Sequence, residues 1–171
     1  MTRPVIDVAG ARPAAPRVLV AGIGNVFHGD DGFGVEVASR LATLPLPEST
    51  AVRDFGVRGI HLAFEMTGGG YDVVVLVDAC PVAGPPGTLA VIEADRLPLA
   101  SGSTDGHDLD PASVLRLASQ MSGTLPRVLV VGCQPADVSD GIGLTGAVQR
   151  AIDPAIALIT KLIAEECRPG R

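Results

Sequence analysis

The sequence predicts an α/β fold, specifically a single three-layer domain with a mostly parallel twisted sheet, helices on both faces and one edge hairpin strand. The first observation is that short apolar runs, typical of strands covered on both faces, recur along the chain. The second is that segments with apolar residues at helical spacing separate these runs. The third is the length of 171 residues, which suits one domain.

Five segments have the composition of strands. Three of them are continuous runs of Val, Leu, Ile and Ala, as expected of strands in the middle of a parallel sheet. A fourth is less apolar, and the fifth alternates in the manner of an edge strand. The predicted strands are residues 18–21, 51–55, 73–77, 88–93 and 127–131.

Four segments between and after the strands have helical spacing. Asp110 and Pro111 supply an N-cap and a favoured first-turn proline for the third helix, and Gly123 can end it. Pro154 falls inside the last helical segment, which predicts a break there and a restart with Asp153 as the new cap. The predicted helices begin near residues 32, 59, 111 and 145.

Composition and charge exclude several classes of protein. The net charge of −6 comes without a basic stripe, which argues against nucleic-acid binding. No run reaches the roughly 18 apolar residues that a membrane span needs, so we expect no membrane insertion. The three cysteines form no CxxC pair, which is typical of a reducing compartment, and we expect a cytoplasmic protein. Residues 1–16 are predicted to be a flexible tail and residues 17–167 the domain.

Chemistry in such a sheet is expected where the strands end. Asp30 and Asp31 follow the first strand, Asp78 follows the third, and His107 lies in the polar loop before the third helix. Two carboxylates and an imidazole at one edge could bind a divalent metal ion or activate a water molecule.

Each of these residues also has an ordinary structural interpretation. Asp31 could cap the first helix, although Asp30 is the more ordinary candidate for that role. Asp78 is harder to explain structurally, because a carboxylate that ends a buried strand is desolvated unless it is paired or wet. Cys80 or Cys133 could be a nucleophile paired with His107, but a cysteine in such a position is more often a small buried hydrophobe.

Specific motifs connect the chain to a known family. Residues 22–35, GIGNVFHGDDGFGV, resemble the N-terminal signature of hydrogenase-maturation endopeptidases. Val77-Asp78-Ala79 is similar to the strand-end aspartate of that family, and Gly106-His107-Asp108 falls where the family has its loop histidine. The turns at residues 132–135 and 143–145 follow in the same order, and the match extends over roughly residues 18–165.

The resemblance implies an endopeptidase that removes the C-terminal extension of a [NiFe]-hydrogenase large-subunit precursor after nickel insertion. It implies that Asp31, Asp78 and His107 are the catalytic residues and that they engage the nickel. That metal belongs to the substrate, so no intrinsic cofactor is implied. The carboxylates group such enzymes with aspartic-type peptidases.

The resemblance also implies a substrate-binding edge. We expect Gly24, Asn25, Asp54 and Gly56 to contribute to it. The chain departs from the family pattern at Val57, where family members often have threonine in the turn after the second strand. We expect the enzyme to act as a monomer.

Two other functions remain open from the sequence. A metal-dependent or cysteine-dependent hydrolase of small molecules would need an intrinsic metal ion or a reactive thiol. A non-enzymatic nickel-binding maturation module would bind metal without cleavage, and it would more often contain a His-rich tract than three scattered histidines.

Overall fold

The computed structural model describes residues 15–96, 110–122 and 124–168. Most of the predicted tail and the loop that contains His107 lie outside these residues, as does Gly123. The strands form one five-stranded sheet in the order β2-β1-β3-β5-β4, which confirms the predicted fold class. The strands are β1 (Val18–Ile23), β2 (Thr50–Gly56), β3 (Val73–Ala79), β4 (Leu89–Glu93) and β5 (Arg127–Cys133).

The sheet is parallel except at one edge. β1 pairs in parallel with β2 and β3, and β3 pairs in parallel with β5. β1 and β3 are buried along almost their whole length, because Val, Leu and Ile side chains meet helices on both faces. β4 is the predicted edge strand, and it pairs antiparallel with β5. A helix lies between β4 and β5 along the chain, so no hairpin turn joins this pair.

Helices cover both faces of the sheet. Apolar residues of two helices pack with β1 and β3 on one face, and apolar residues of the other two pack on the opposite face. Within the described ranges, no helix combines the length and the apolar character needed to cross a lipid bilayer. The first face has α1 (Phe33–Leu41) and α4 (Gly146–Glu166), and the second has α2 (Gly59–Gly68) and α3 (Pro111–Met121).

The predicted break at Pro154 is wrong. α4 continues through Pro154, and Asp153 is an exposed residue inside the helix rather than a cap. A proline in a helix removes a backbone hydrogen bond and costs ~3 kcal/mol or more. Burial of Ile152 and Ile159 against the sheet offsets this loss, at about 1.5–3 kcal/mol for each large apolar side chain.

The start of α3 follows the predicted capping pattern. The Oδ1 atom of Asp110 accepts a hydrogen bond of 2.6 Å from the backbone N–H of Ser113, and Pro111 is the first helical residue. This cap fixes the start of α3.

Candidate active site

Glycines bring the start of α1 directly onto the ends of two strands. A Cβ atom at Gly34 would collide with the backbone carbonyl oxygens of Val77 and Ile23. Gly24 has a φ of +128°, and a Cβ there would collide with the carbonyl oxygen of Asp31. The turn that carries Asp31 therefore lies against the carboxyl ends of β1 and β3.

Asp31 lies in a one-turn 3-10 helix (Gly29–Gly32) between β1 and α1. Its Oδ2 atom accepts a hydrogen bond of 2.7 Å from the backbone N–H of Asn25. The N-cap of α1 is Gly32, which makes no side-chain capping bond, so the capping role considered for Asp31 is wrong. The side chain instead turns back to the glycine-rich turn that ends β1.

Asp78 is a carboxylate buried at the end of β3, where it is 4% exposed. Burial raises the pKa of Asp78 well above its ordinary value, and the nearby negative charge of Asp31 raises it further. The backbone N–H of Ala79 acts in the opposite direction, and the charge of Asp110 adds to the rise. The carboxyl groups of Asp31 and Asp78 therefore interact electrostatically at this edge of the sheet.

Asp30 has a role that the sequence did not reveal. It is fully buried, and its carboxylate accepts four hydrogen bonds from the loop between β5 and α4. Burial acts to raise the pKa of Asp30, but these hydrogen bonds outweigh burial and lower it. The donors are the backbone N–H groups of Ala136, Asp137 and Thr145 and the hydroxyl of Thr145, at 2.7–3.0 Å.

The expectation that Asp30 caps the first helix is therefore wrong. A 3-10 helix has three residues per turn, so consecutive side chains point about 120° apart. Asp30 and Asp31 consequently face different surroundings although they are adjacent in sequence. The one available signal was Thr145, a residue with a hydroxyl donor at the start of the last predicted helix.

The expected substrate-binding residues lie along the same edge. The backbone N–H of Gly24 donates to the carbonyl oxygen of Gly56 at 3.1 Å, which joins the turns after β1 and β2. The side-chain oxygen of Asn25 accepts the N–H of Phe27 at 3.0 Å. The side chain of Asp54 is exposed beside Gly56, which has a φ of +51°.

The two strand-end cysteines have poorly reactive thiols. Burial raises the pKa of the Cys80 thiol to about 12 and that of Cys133 to about 11. Because the thiolate is the nucleophile, these values oppose nucleophilic catalysis near neutral pH. His107, the proposed partner of such a cysteine, lies outside the described residues.

The described part of the chain contains no group of three His, Cys, Asp or Glu side chains that could hold a metal ion. Asp31 and Asp78 place two carboxyl groups at this edge of the sheet. Two carboxylates in this arrangement can face a cation presented by a partner, and either can accept a proton from water.

Comparisons with known proteins identify the family of the chain. The sequence model of the HycI family, described as hydrogenase maturation protease, matches residues 35–162. The chain belongs to this family. The hydrogenase expression/formation protein HupD of Rhizobium leguminosarum bv. viciae is 32% identical over 155 residues, which cover 88% of the chain and 76% of that protein.

Solved structures of hydrogenase maturation peptidases have the same fold. The endopeptidase HybD of E. coli is 29% identical with a TM-score of 0.73, and the match covers 87% of this chain and 93% of that one. The hydrogenase 2 maturation peptidase of Thaumarchaeota archaeon SCGC_AB-539-E09 is 33% identical with a TM-score of 0.65, covering 86% and 98%. The chain is therefore a peptidase of hydrogenase maturation. This assignment weakens the two alternatives, a small-molecule hydrolase and a non-enzymatic nickel-binding module.

Proposed function

We propose that this hydrogenase maturation protease removes the C-terminal extension of a [NiFe]-hydrogenase large-subunit precursor after nickel has been inserted. In this proposal the nickel is part of the substrate, and Asp31, Asp78 and His107 engage it. The three cysteines are free thiols, which suits action in the cytoplasm.

The observation that supports this proposal is the electrostatic interaction of Asp31 with the buried Asp78. Asp78 is almost fully buried, and within the described part of the chain the charges of two other aspartates, Asp31 and Asp110, raise its pKa. Such an arrangement is unfavourable in the isolated protein, because desolvated like charges repel one another. A cation brought by the substrate would reverse the sign of this interaction.

The mechanism follows from where these carboxylates lie. The docked nickel orients the scissile segment at the carboxyl edge of the sheet and polarises its carbonyl group. One carboxylate takes a proton from a water molecule as the water oxygen adds to the carbonyl carbon. The C–N bond then breaks, and the proton passes to the new amine. This use of carboxylates is the basis for the aspartic-type assignment.

The proposal explains why cleavage would wait for nickel. Without the metal, the precursor lacks the group that compensates the two carboxylates, so its scissile segment is not held in the reactive geometry. His107 would complete the metal contact as a neutral imidazole.

The test is a processing assay on nickel-loaded precursor with wild type, Asp31→Asn and Asp153→Asn. The asparagine oxygen at position 31 can still accept the hydrogen bond from Asn25, so the substitution removes the negative charge while the fold is kept. Asp153 is an exposed residue of α4, and it provides the same chemical change away from the site.

We expect cleavage by wild type and Asp153→Asn and a loss of at least ~100-fold for Asp31→Asn. Equal cleavage by all three proteins would remove Asp31 from the mechanism. Nickel binding without any cleavage by wild type would instead support the non-enzymatic maturation module.

A further inference from the structure

Four large apolar side chains project into solvent on two loops beside Asp31. We define these residues, Val26, Phe27, Val138 and Ile142, as the apolar crest. Phe27 is 62% exposed and Ile142 is 83% exposed. Exposed side chains of this size in one place are typical of an interaction surface.

The crest is held in place by backbone hydrogen bonds between its two loops. The N–H of Gly141 donates to the carbonyl oxygen of Phe27 at 2.8 Å, and the N–H of Gly29 donates to the carbonyl oxygen of Gly141 at 2.9 Å. The N–H of Asp30 donates to the backbone carbonyl oxygen of Asp137 at 2.9 Å. The buried carboxylate of Asp30 accepts four hydrogen bonds from the same loop. The crest side chains therefore project from an ordered scaffold.

The crest is continuous with the proposed catalytic carboxylate. The residue before Val26 is Asn25, whose backbone N–H is bound to Asp31. Val26 also packs over Gly32, where an added Cβ would lie 3.2 Å from the Val26 Cα atom. A partner that reached Asp31 would consequently meet the crest.

The charges around the crest indicate the chemistry of that partner. Asp137 and Asp140 are exposed on its second loop, and the Nε2 atom of His28 lies 3.5 Å from Asp140. Neither residues 24–31 nor residues 136–145 contain a Lys or Arg. A second copy of this chain, with a net charge of −6, would bring like charges together. An anionic membrane surface would be repelled for the same reason.

We propose that the apolar crest is the docking surface for the precursor, and that it receives an apolar segment of that protein bordered by Lys or Arg side chains. The inference rests on the proposed function and extends it from the metal contact to the surrounding interface. Phe27 and Ile142 would bury their side chains in the complex, and Asp140 would attract the cationic border.

The experiment measures KM and kcat on nickel-loaded precursor for Phe27→Ser, Ile142→Ser and Phe64→Ser. Phe64 is a matched control, because it is also 62% exposed but lies on α2, on the opposite face of the sheet from α1. We expect KM to rise roughly 10-fold for each crest variant, with kcat and Tm unchanged and no effect of Phe64→Ser. Asp140→Asn should raise KM by about 2–3-fold at low salt and lose this effect at high salt.

The outcomes separate this inference from the proposed function. If wild type cleaves and the crest variants have the same KM as Phe64→Ser, the docking surface is refuted while the protease role stands. If no protein cleaves the precursor, the affinity of each variant for the precursor is measured directly. Binding weakened by Phe27→Ser but not by Phe64→Ser supports the crest and overturns the protease role. Absence of binding overturns both.

Discussion

Two buried carboxylates lie at the same edge of the sheet, in opposite surroundings. Asp30 accepts four hydrogen bonds from the loop between β5 and α4, and its pKa is lowered. Asp78 is desolvated beside another carboxylate, and its pKa is raised well above the ordinary value. Burial by itself raises the pKa of both groups. The difference comes from their partners, which are hydrogen-bond donors for Asp30 and a negative charge for Asp78.

The contrast separates a structural from a functional role. Asp30 stabilises the folded protein, because its ionised carboxylate accepts hydrogen bonds at both oxygens. Asp78 is unfavourable in the folded protein, and a residue kept at such a cost is a candidate for function. Substitutions at the two positions should consequently affect different properties of the protein.

The largest effect is expected for Asp78→Asn. The amide has nearly the same shape but no negative charge, so cleavage of nickel-loaded precursor should fall on the order of 10²–10⁴-fold. Tm should stay equal or rise, because the repulsion from Asp31 disappears. Rate and thermal unfolding are measured on the same preparation. Retained activity would show that Asp78 is not part of the reacting site.

The next effect is expected for Asp30→Ala. It leaves the donors of Ala136, Asp137 and Thr145 without their acceptor, which should destabilise the fold by about 2–4 kcal/mol. Tm should fall by about 5–15 °C. Thermal unfolding of wild type and variant measures this, and Asp153→Ala on the surface of α4 is the control. An unchanged Tm would contradict the structural role of Asp30.

The pH dependence of stability should have opposite signs at the two sites. The lowered pKa of Asp30 means that its stabilisation is present above its unfolded value near ~4 and is lost as pH falls. The raised pKa of Asp78 means that its favourable contribution is present below ~4 and is lost as pH rises. As pH rises from 3 to 7, the free energy of unfolding of Asp30→Ala should therefore decrease relative to that of wild type. Over the same range, the free energy of unfolding of Asp78→Asn should increase relative to that of wild type. Denaturant unfolding across this range checks both signs, and parallel curves would contradict the comparison.

The smallest effect is expected for Cys80→Ala, two residues beyond Asp78. With a pKa of about 12, the Cys80 thiol is almost entirely neutral at pH 7. Cleavage should stay within about twofold of wild type, as a matched processing assay would measure. A large loss without unfolding would revive the cysteine-dependent alternative.

The sequence predicted the parts that depend on local pattern. The apolar runs predicted β1, β3 and β5, and the desolvation argument drew attention to Asp78. The role of Asp30 could not be predicted locally, because its donors lie 106–115 residues further along the chain. The continuous α4 was missed because packing against the sheet overrides the local effect of Pro154.

The most direct test of the central claim compares nickel-loaded and nickel-free precursor as substrates of the wild-type protein. If Asp31 and Asp78 engage the substrate's metal, the loaded precursor should be cleaved and the metal-free precursor should remain intact under the same conditions. Cleavage of both at the same rate would contradict the account, because the paired carboxylates would then act without the cation.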